Sequence, residues 1–298
     1  MINRIRNILV TALFIVSCTS ARAHDHESDS KQGEPYSLDD PATNTEAFIR
    51  MRGDTGGKDS LMHWTGSVFA VFSNEAPKRL FGFEGFNVSR MEKQADGSWR
   101  MLTREYAIYR DPITNAILDT WQNPYSKKLN VVFHVQNDPV NQTFGRKSAE
   151  GKVYPMPFIV QGSDVRMGFD VPLAYPNPID VKKYPDVVGN KIYAGSEHFG
   201  FFGKLVDFAN PDLTSVPVQI SWSRTSPWLP WMRMGKRPGS LMFSAWGRKV
   251  DSFADIAPDF KAYIDKTAPE YLSAPKQWAQ PNATTWSEYK KRVLEAGK

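Results

Sequence analysis

The sequence predicts an all-β fold, predominantly antiparallel: an up-and-down meander closing into a barrel or sandwich, with short C-terminal helices. Three observations carry this. About ten strand-length runs lie between Trp64 and Val250, separated by short turns rich in Gly, Pro, Asn and Asp. Asp96-Gly97 stands between two alternating runs, a strong hairpin signal. Finally, 18 Phe, 9 Trp and 11 Tyr supply bulk for a sizeable core without disulfides.

Taken in order, residues 1–23 read as an export signal. Arg4 and Arg6 precede an apolar run over 8–16, and Ala21-Arg22-Ala23 is a small-x-small cleavage site. The run is shorter than the about 20 residues of a membrane span. Ile15-Val16-Ser17-Cys18 also fits a lipoprotein box, in which Cys18 would carry lipid. The expected locations are therefore periplasmic or secreted, with a lipid-anchored envelope protein as the alternative. Cys18 is the single cysteine, so no internal disulfide forms. Residues 24–60 read as a polar, disordered leader with a short helix over 45–52, and residues 61–298 as a single β-rich domain.

The strand runs begin with "TGSVFAVFS", "RLFGFEGFNVSRMEK" and "SWRMLTREYAIYR", and continue through "NAILDTW" and "LNVVFHVQN" in one meander. "MPFIVQG", "VRMGFDV", "KIYAGSEHFGFF", "VPVQISWSR" and "SLMFSAWGRKV" follow. A helix is expected over 258–266. A last one is expected after a Thr285-x-x-Glu288 capping box, with Trp286, Tyr289, Val293 and Leu294 on one face.

The formal net charge is +5, and three of those charges, Arg4, Arg6 and Arg22, lie in the export segment, leaving +2. That is no footprint for nucleic acid. His24-Asp25-His26 would offer a square-planar nitrogen site at a processed N-terminus, but a solvated tail is the expected reading. The remaining histidines show no metal-ligand spacing, and neither nucleophile elbows nor phosphate loops occur. No metal and no cofactor are expected.

Strand parity places Arg104, Tyr106 and Ile108 on one face and Glu105, Ala107 and Tyr109 on the other. Charges set among aromatics in a barrel lumen must be paired or serve a ligand; outside, they would form cross-strand ion pairs. Glu84 poses the same alternative. His134, Tyr106, Arg104 and Glu105 are the candidates for cofactor-free acid–base chemistry. Trp121 and Tyr125 bracket one hairpin, whose Asn123 and Asp138 read as turn residues. Trp222 and Arg224 share a strand face.

"SPWLPWMRMGKRPG", residues 226–239, links two strands, and its prolines deny it regular pairing. A single helical turn would put Trp228, Trp231 and Met232 on one side. They would plug a barrel end, roof a cavity, or rest on a membrane interface. "LDTWQNPY", "NDPV", "SWSR" and "WLPWMRMG" together resemble the bacterial domain-of-unknown-function family 1838 over roughly residues 45–275. The resemblance implies one unit in an exported context, and no activity, ligand or catalytic residue.

The expected function is an exported protein binding a small hydrophobic or aromatic molecule in its lumen. Trp121, Tyr125, Trp222, Arg224, Trp228, Trp231 and Met232 are the candidate ligand contacts. The alternatives are an isomerase, hydratase or lyase using the same cavity, and an envelope lipoprotein with an interaction role.

Overall fold

A computed structural model describes residues 36–145 and 155–296. The export segment, Cys18 and His24-Asp25-His26 lie outside the described residues. The first element is helix α1, Pro41–Arg52, started by an Asp40 carboxylate that accepts from the Thr43 N–H at 2.8 Å and by Pro41 in the first turn. It is longer than the short helix expected within a disordered leader, and it belongs to the folded body. Ala47, Phe48 and Met51 share one face of the helix and are buried in the sheet core, and Ile49, further round, is buried as well.

Twelve strands follow among the described residues. β1 (Ser60–Val71), β2 (Lys78–Lys93) and β3 (Trp99–Arg110) form an antiparallel meander. The β2–β3 turn is the one that Asp96-Gly97 announced. Gly97 takes φ +81°, and Asp96 Oδ1 accepts from Ser98 N–H at 3.0 Å and Ser98 Oγ at 2.6 Å. β4 (Thr120–Gln122) and β5 (Leu129–Val131) form a separate two-stranded sheet, while β6 (Val135–Asn137) and β7 (Gln142–Phe144) return to pair with β3. The expectation that "NAILDTW" and "LNVVFHVQN" extend the meander is thus corrected. The second run breaks at Val132–His134, where Val132 and His134 turn inward and are buried.

β8 (Phe158–Gln161), β9 (Asp164–Pro176), β10 (Ile192–Lys204), β11 (Gln219–Ser226) and β12 (Ser240–Val250) make a second antiparallel meander, with the short helix α2 (Leu205–Ala209) after β10. β12 then pairs with β1, giving the order β6-β3-β2-β1-β12-β11-β10-β9-β8, with β7 also on β3. The antiparallel β class is as expected, but the sheet does not close through hydrogen bonds. Its outer strands are only three or four residues long, and helix α4 (Thr285–Tyr289) packs between the two wings. Trp286 meets the Tyr193 ring of β10 at 4.8 Å, and Tyr289 meets Phe133, just before β6, at 5.3 Å.

The cap of α4 is Thr284 with Ser287, one residue before the expected box. Thr284 Oγ1 accepts from the Ser287 N–H at 3.1 Å. The helix widens to a π-turn over Lys290–Leu294, which rotates Val293 into solvent and takes it off the expected face.

The two faces of the sheet bury separate cores. The concave face carries Trp64, Val68, Phe83, Tyr109 and Phe243. The convex face of β1–β3 carries Leu61, Phe86, Val88, Tyr106 and Ile108 under helix α3 (Pro258–Thr267), whose Phe260 and Ile264 are fully buried. α3 is pinned by a charge chain. Arg110 Nη2 lies 2.7 Å from Glu84 and its Nη1 2.6 Å from Asp259 of α3; Glu84 also meets His63 at 2.9 Å. Glu84 is therefore a paired convex-face residue and not a lumen charge. Arg110 is itself 3% exposed, so its truncation strands Glu84 in an apolar setting. We expect Arg110→Met to lower unfolding free energy by about 3–5 kcal/mol in urea denaturation. The double variant Glu84→Leu/Arg110→Met should recover part of the loss, because it removes the uncompensated charge as well.

Candidate functional site

Between the concave faces of the two meanders lies a half-open cavity of about 340 Å³. At roughly 30 Å³ per water, it has space for on the order of ten waters, enough for a one- or two-ring molecule. Strand alternation builds its wall. Trp64 comes from β1; Ile220, Trp222 and Arg224 from β11; Glu197 and Phe199 from β10; Leu173 and Tyr175 from β9. Small residues make the room. The Trp64 indole packs against Gly85, where a Cβ would sit 2.9 Å from the ring and 2.5 Å from the Ala107 Cβ, so only glycine fits.

One end of the cavity holds a polar cluster. The β10–β11 register sets Glu197 opposite Arg224, with Arg224 Nη1 3.3 Å from Glu197 Oε1. The same guanidinium donates to the Tyr193 hydroxyl through Nη2 at 2.5 Å and Nε at 3.2 Å. Burial alone would lower the Arg224 pKa, but Tyr193, Glu197 and Glu105 outweigh it and hold it above its ordinary value. Glu105, facing in from β3, accepts from Asn137 Nδ2 at 3.1 Å. Burial raises its carboxyl pKa; the Asn137 bond opposes this, Glu197 adds to it and Arg224 subtracts.

The expected catalytic set does not converge. Glu105 alone of the four lines the cavity. Arg104 and Tyr106 lie on the convex face, as their parity required. Arg104 pairs with Asp138 at 3.3 Å and donates to the Glu270 carbonyl; the Tyr106 hydroxyl is 3.3 Å from Thr267 Oγ1. His134 is buried outside the cavity. Its Nδ1 accepts from the Tyr109 N–H at 3.2 Å, and burial pulls its pKa down to about 4, leaving it neutral and structural. Asn123 is the turn residue expected: its Oδ1 accepts from the Tyr125 and Ser126 N–H groups.

Of the seven candidate ligand contacts, Trp222 and Arg224 line the cavity, and the other five do not. Pro230–Met232 forms the single 3₁₀ turn that the spacing allowed, and it is a plug. Trp231 and Met232 are 1% and 0% exposed, and neither lines the cavity. Trp231 packs on Phe81 at 5.5 Å, Tyr109 at 5.4 Å and Trp121 at 5.7 Å, which places Trp121 in the same plug. Asn123 and Asn130 both donate to the Met232 carbonyl, at 2.9 and 2.8 Å, and so fix the turn. Tyr125 and Trp228 pack together with Phe72 at the rim. Trp228 borders a separate groove of about 620 Å³ between loops, where no buried charged group converges.

Missed in the sequence were Arg52, Trp64 and Glu197. The adjacency of Glu197 and His198 on opposite faces was a usable signal, and it holds: Glu197 faces the cavity and His198 bonds Asp170 on the exposed side at 2.8 Å. Among the described residues, no group of three or more His, Cys, Asp or Glu could hold a metal ion. No helix among them is long and apolar enough to cross a membrane.

The fold and site define a cavity-bearing antiparallel β protein with an aromatic wall and a charged end. The family model described as "Protein of unknown function (DUF1838)" matches residues 57–293, and the chain belongs to that family. No curated protein matches the sequence. Among solved structures, a crystal structure of MucB in complex with MucA(peri) is similar at 9% identity, covering 79% of this chain and 99% of that one. Its TM-score of 0.10 is too low to support an argument.

Two outcomes follow. Trp231→Ala should cost about 3–5 kcal/mol by urea denaturation, as the deletion of a fully enclosed aromatic. Glu105 has a raised folded pKa, so the folded state holds its proton more tightly than the unfolded state does. Its contribution to stability therefore falls as pH rises from the ordinary carboxylate range through the folded value. Glu105→Gln should melt higher than the parent at neutral pH, and the two should converge below the ordinary carboxylate range in a Tm-against-pH series.

Proposed function

We propose that this protein binds a small, largely apolar or aromatic molecule in the cavity between its two meanders. The observation that carries the reading is the 340 Å³ space walled by Trp64, Trp222, Phe199, Tyr175, Leu173 and Ile220, with a few charged groups placed to orient a guest. Ligand sites share this composition: apolar walls with a small number of fixed polar contacts. We further propose that it acts outside the cytoplasm, on the strength of the charged, apolar and small-residue sequence over 1–23. Mass spectrometry of the mature N-terminus distinguishes cleavage after Ala23 from lipidation at Cys18.

A thermal-shift series across sterols, phenolics and hydrophobic acids tests the binding reading. A ligand at about 100-fold its Kd adds about 2.7 kcal/mol to the folded state, which raises Tm by several degrees. Leu173→Trp, which fills the cavity from its half-buried wall, should remove that rise without unfolding the protein. A series in which no compound stabilises the parent ends the proposal.

A further inference from the structure

The last turn of α1 brings Arg52 to the cavity wall, with Arg50 and Lys249 behind it, outside the cavity lining. Arg50 spends its guanidinium on main-chain carbonyls: Nη1 donates to Phe208 at 2.8 Å, and Nη2 donates to Asn210 at 2.5 Å and Asp207 at 3.1 Å. Lys249 spends all three ammonium protons, on the Arg50 carbonyl at 2.8 Å, the Gly53 carbonyl at 3.0 Å and Ser215 Oγ at 2.9 Å. Among the described residues none of the three cations has a carboxylate at ion-pair distance. The acid that neighbours Lys249, Asp54, is occupied by the Gly56 N–H at 2.7 Å and Thr214 Oγ1 at 2.9 Å.

Arg52 differs from the other two. It lines the cavity, and among the described residues its one partner is the face of Phe201, 5.2 Å from the guanidinium carbon to the ring centroid. Five N–H donors in a planar fork, left without an oxygen acceptor beside an apolar space, form an incomplete pair. The neighbouring groups register the uncompensated charge. Lys249 is pulled down to about 7 by burial and then by Arg52, while burial lowers Arg52 itself only to about 10, so it remains a cation at neutral pH.

On the proposed ligand-binding reading, we infer that the guest is an apolar carboxylate, or a monoanion of the same geometry, with its head group paired to Arg52 and its body along Trp64 and Trp222. A single free guanidinium matches a carboxylate bidentately. A phosphate dianion would need further donors; Lys249 has none to spare, and Arg50 does not line the cavity. The far end of the guest would meet Glu105, Glu197 and Arg224, where the acids disfavour a second negative charge.

The test is isothermal titration calorimetry at neutral pH with matched acids and amides: benzoate and benzamide, 2-naphthoate and 2-naphthamide, decanoate and decanamide. The acid of the best-fitting pair should bind the parent about 10- to 100-fold tighter than its amide, as a charge-assisted hydrogen-bonded pair provides. Arg52→Met, which keeps the length and apolar stem, should abolish that difference by weakening the acid far more than the amide, whose binding is retained. Retained amide binding also shows that the variant is folded. Amide binding equal to or tighter than acid binding in the parent overturns the inference and leaves the cavity reading standing. Preserved acid preference in Arg52→Met also overturns it. Failure of every acid and amide to bind the parent overturns both.

Discussion

The pairing of β1 with β12 is the constraint on which the rest depends. It runs without interruption from Leu61↔Val250 to Val71↔Ser240 and joins the first long strand to the last. Each flanking meander is local in sequence, so its loop-closure cost is small. The seam between them spans most of the chain, and only its formation sets the two concave faces against one another. Side-chain period then does the sorting. A one-residue slip at the seam would send Trp64 and Ala245 outward and empty the wall of the cavity.

The two faces of the sheet treat polarity in opposite ways. On the convex side, His63, Glu84, Arg110 and Asp259 form a chain in which each charge has a partner, and α3 is held in place by it. On the concave side the charged groups are satisfied unevenly. Arg224 has Glu197 and Tyr193, Glu105 has one amide donor, and Arg52 has a ring. Buried charge without a partner is costly, and a chain of this aromatic content had ample means to fill the space. The plug at 230–232 shows the contrast. There the Met232 carbonyl takes two amide donors and the Trp231 ring is enclosed by other aromatics.

The gap between the sheet edges has a comparable physical logic. Strands of three and four residues present few hydrogen-bonding groups, so closing the barrel through them would gain little. Trp286 and Tyr289 instead fill the gap from one short helix. Trp286 also lies 5.9 Å from the Arg224 guanidinium, so the helix that shuts the wall touches the polar end of the cavity. An edge sealed by side chains can part more readily than a ladder of main-chain bonds.

The alternation of its strands, the Asp96-Gly97 turn, the helix after Pro258 and the resemblance to its family were legible in the amino-acid sequence alone, because period, turn chemistry and motif are local properties. Parity also separated Glu105 from Arg104 and Tyr106 correctly. What parity cannot give is which face is concave, so Tyr106 and Arg104 stood beside Glu105 as candidates until the sheet's curvature divided them. The plug and the lid were indistinguishable for the same reason: both ask for buried Trp and Met, and they differ only in the space beneath. Arg52 was hidden most completely. It lies in a segment whose polar composition reads as leader, and its role exists only once α1 docks on strands more than a hundred residues further along the chain. Local rules fixed the elements, whereas the long-range β1–β12 seam decided what they enclose.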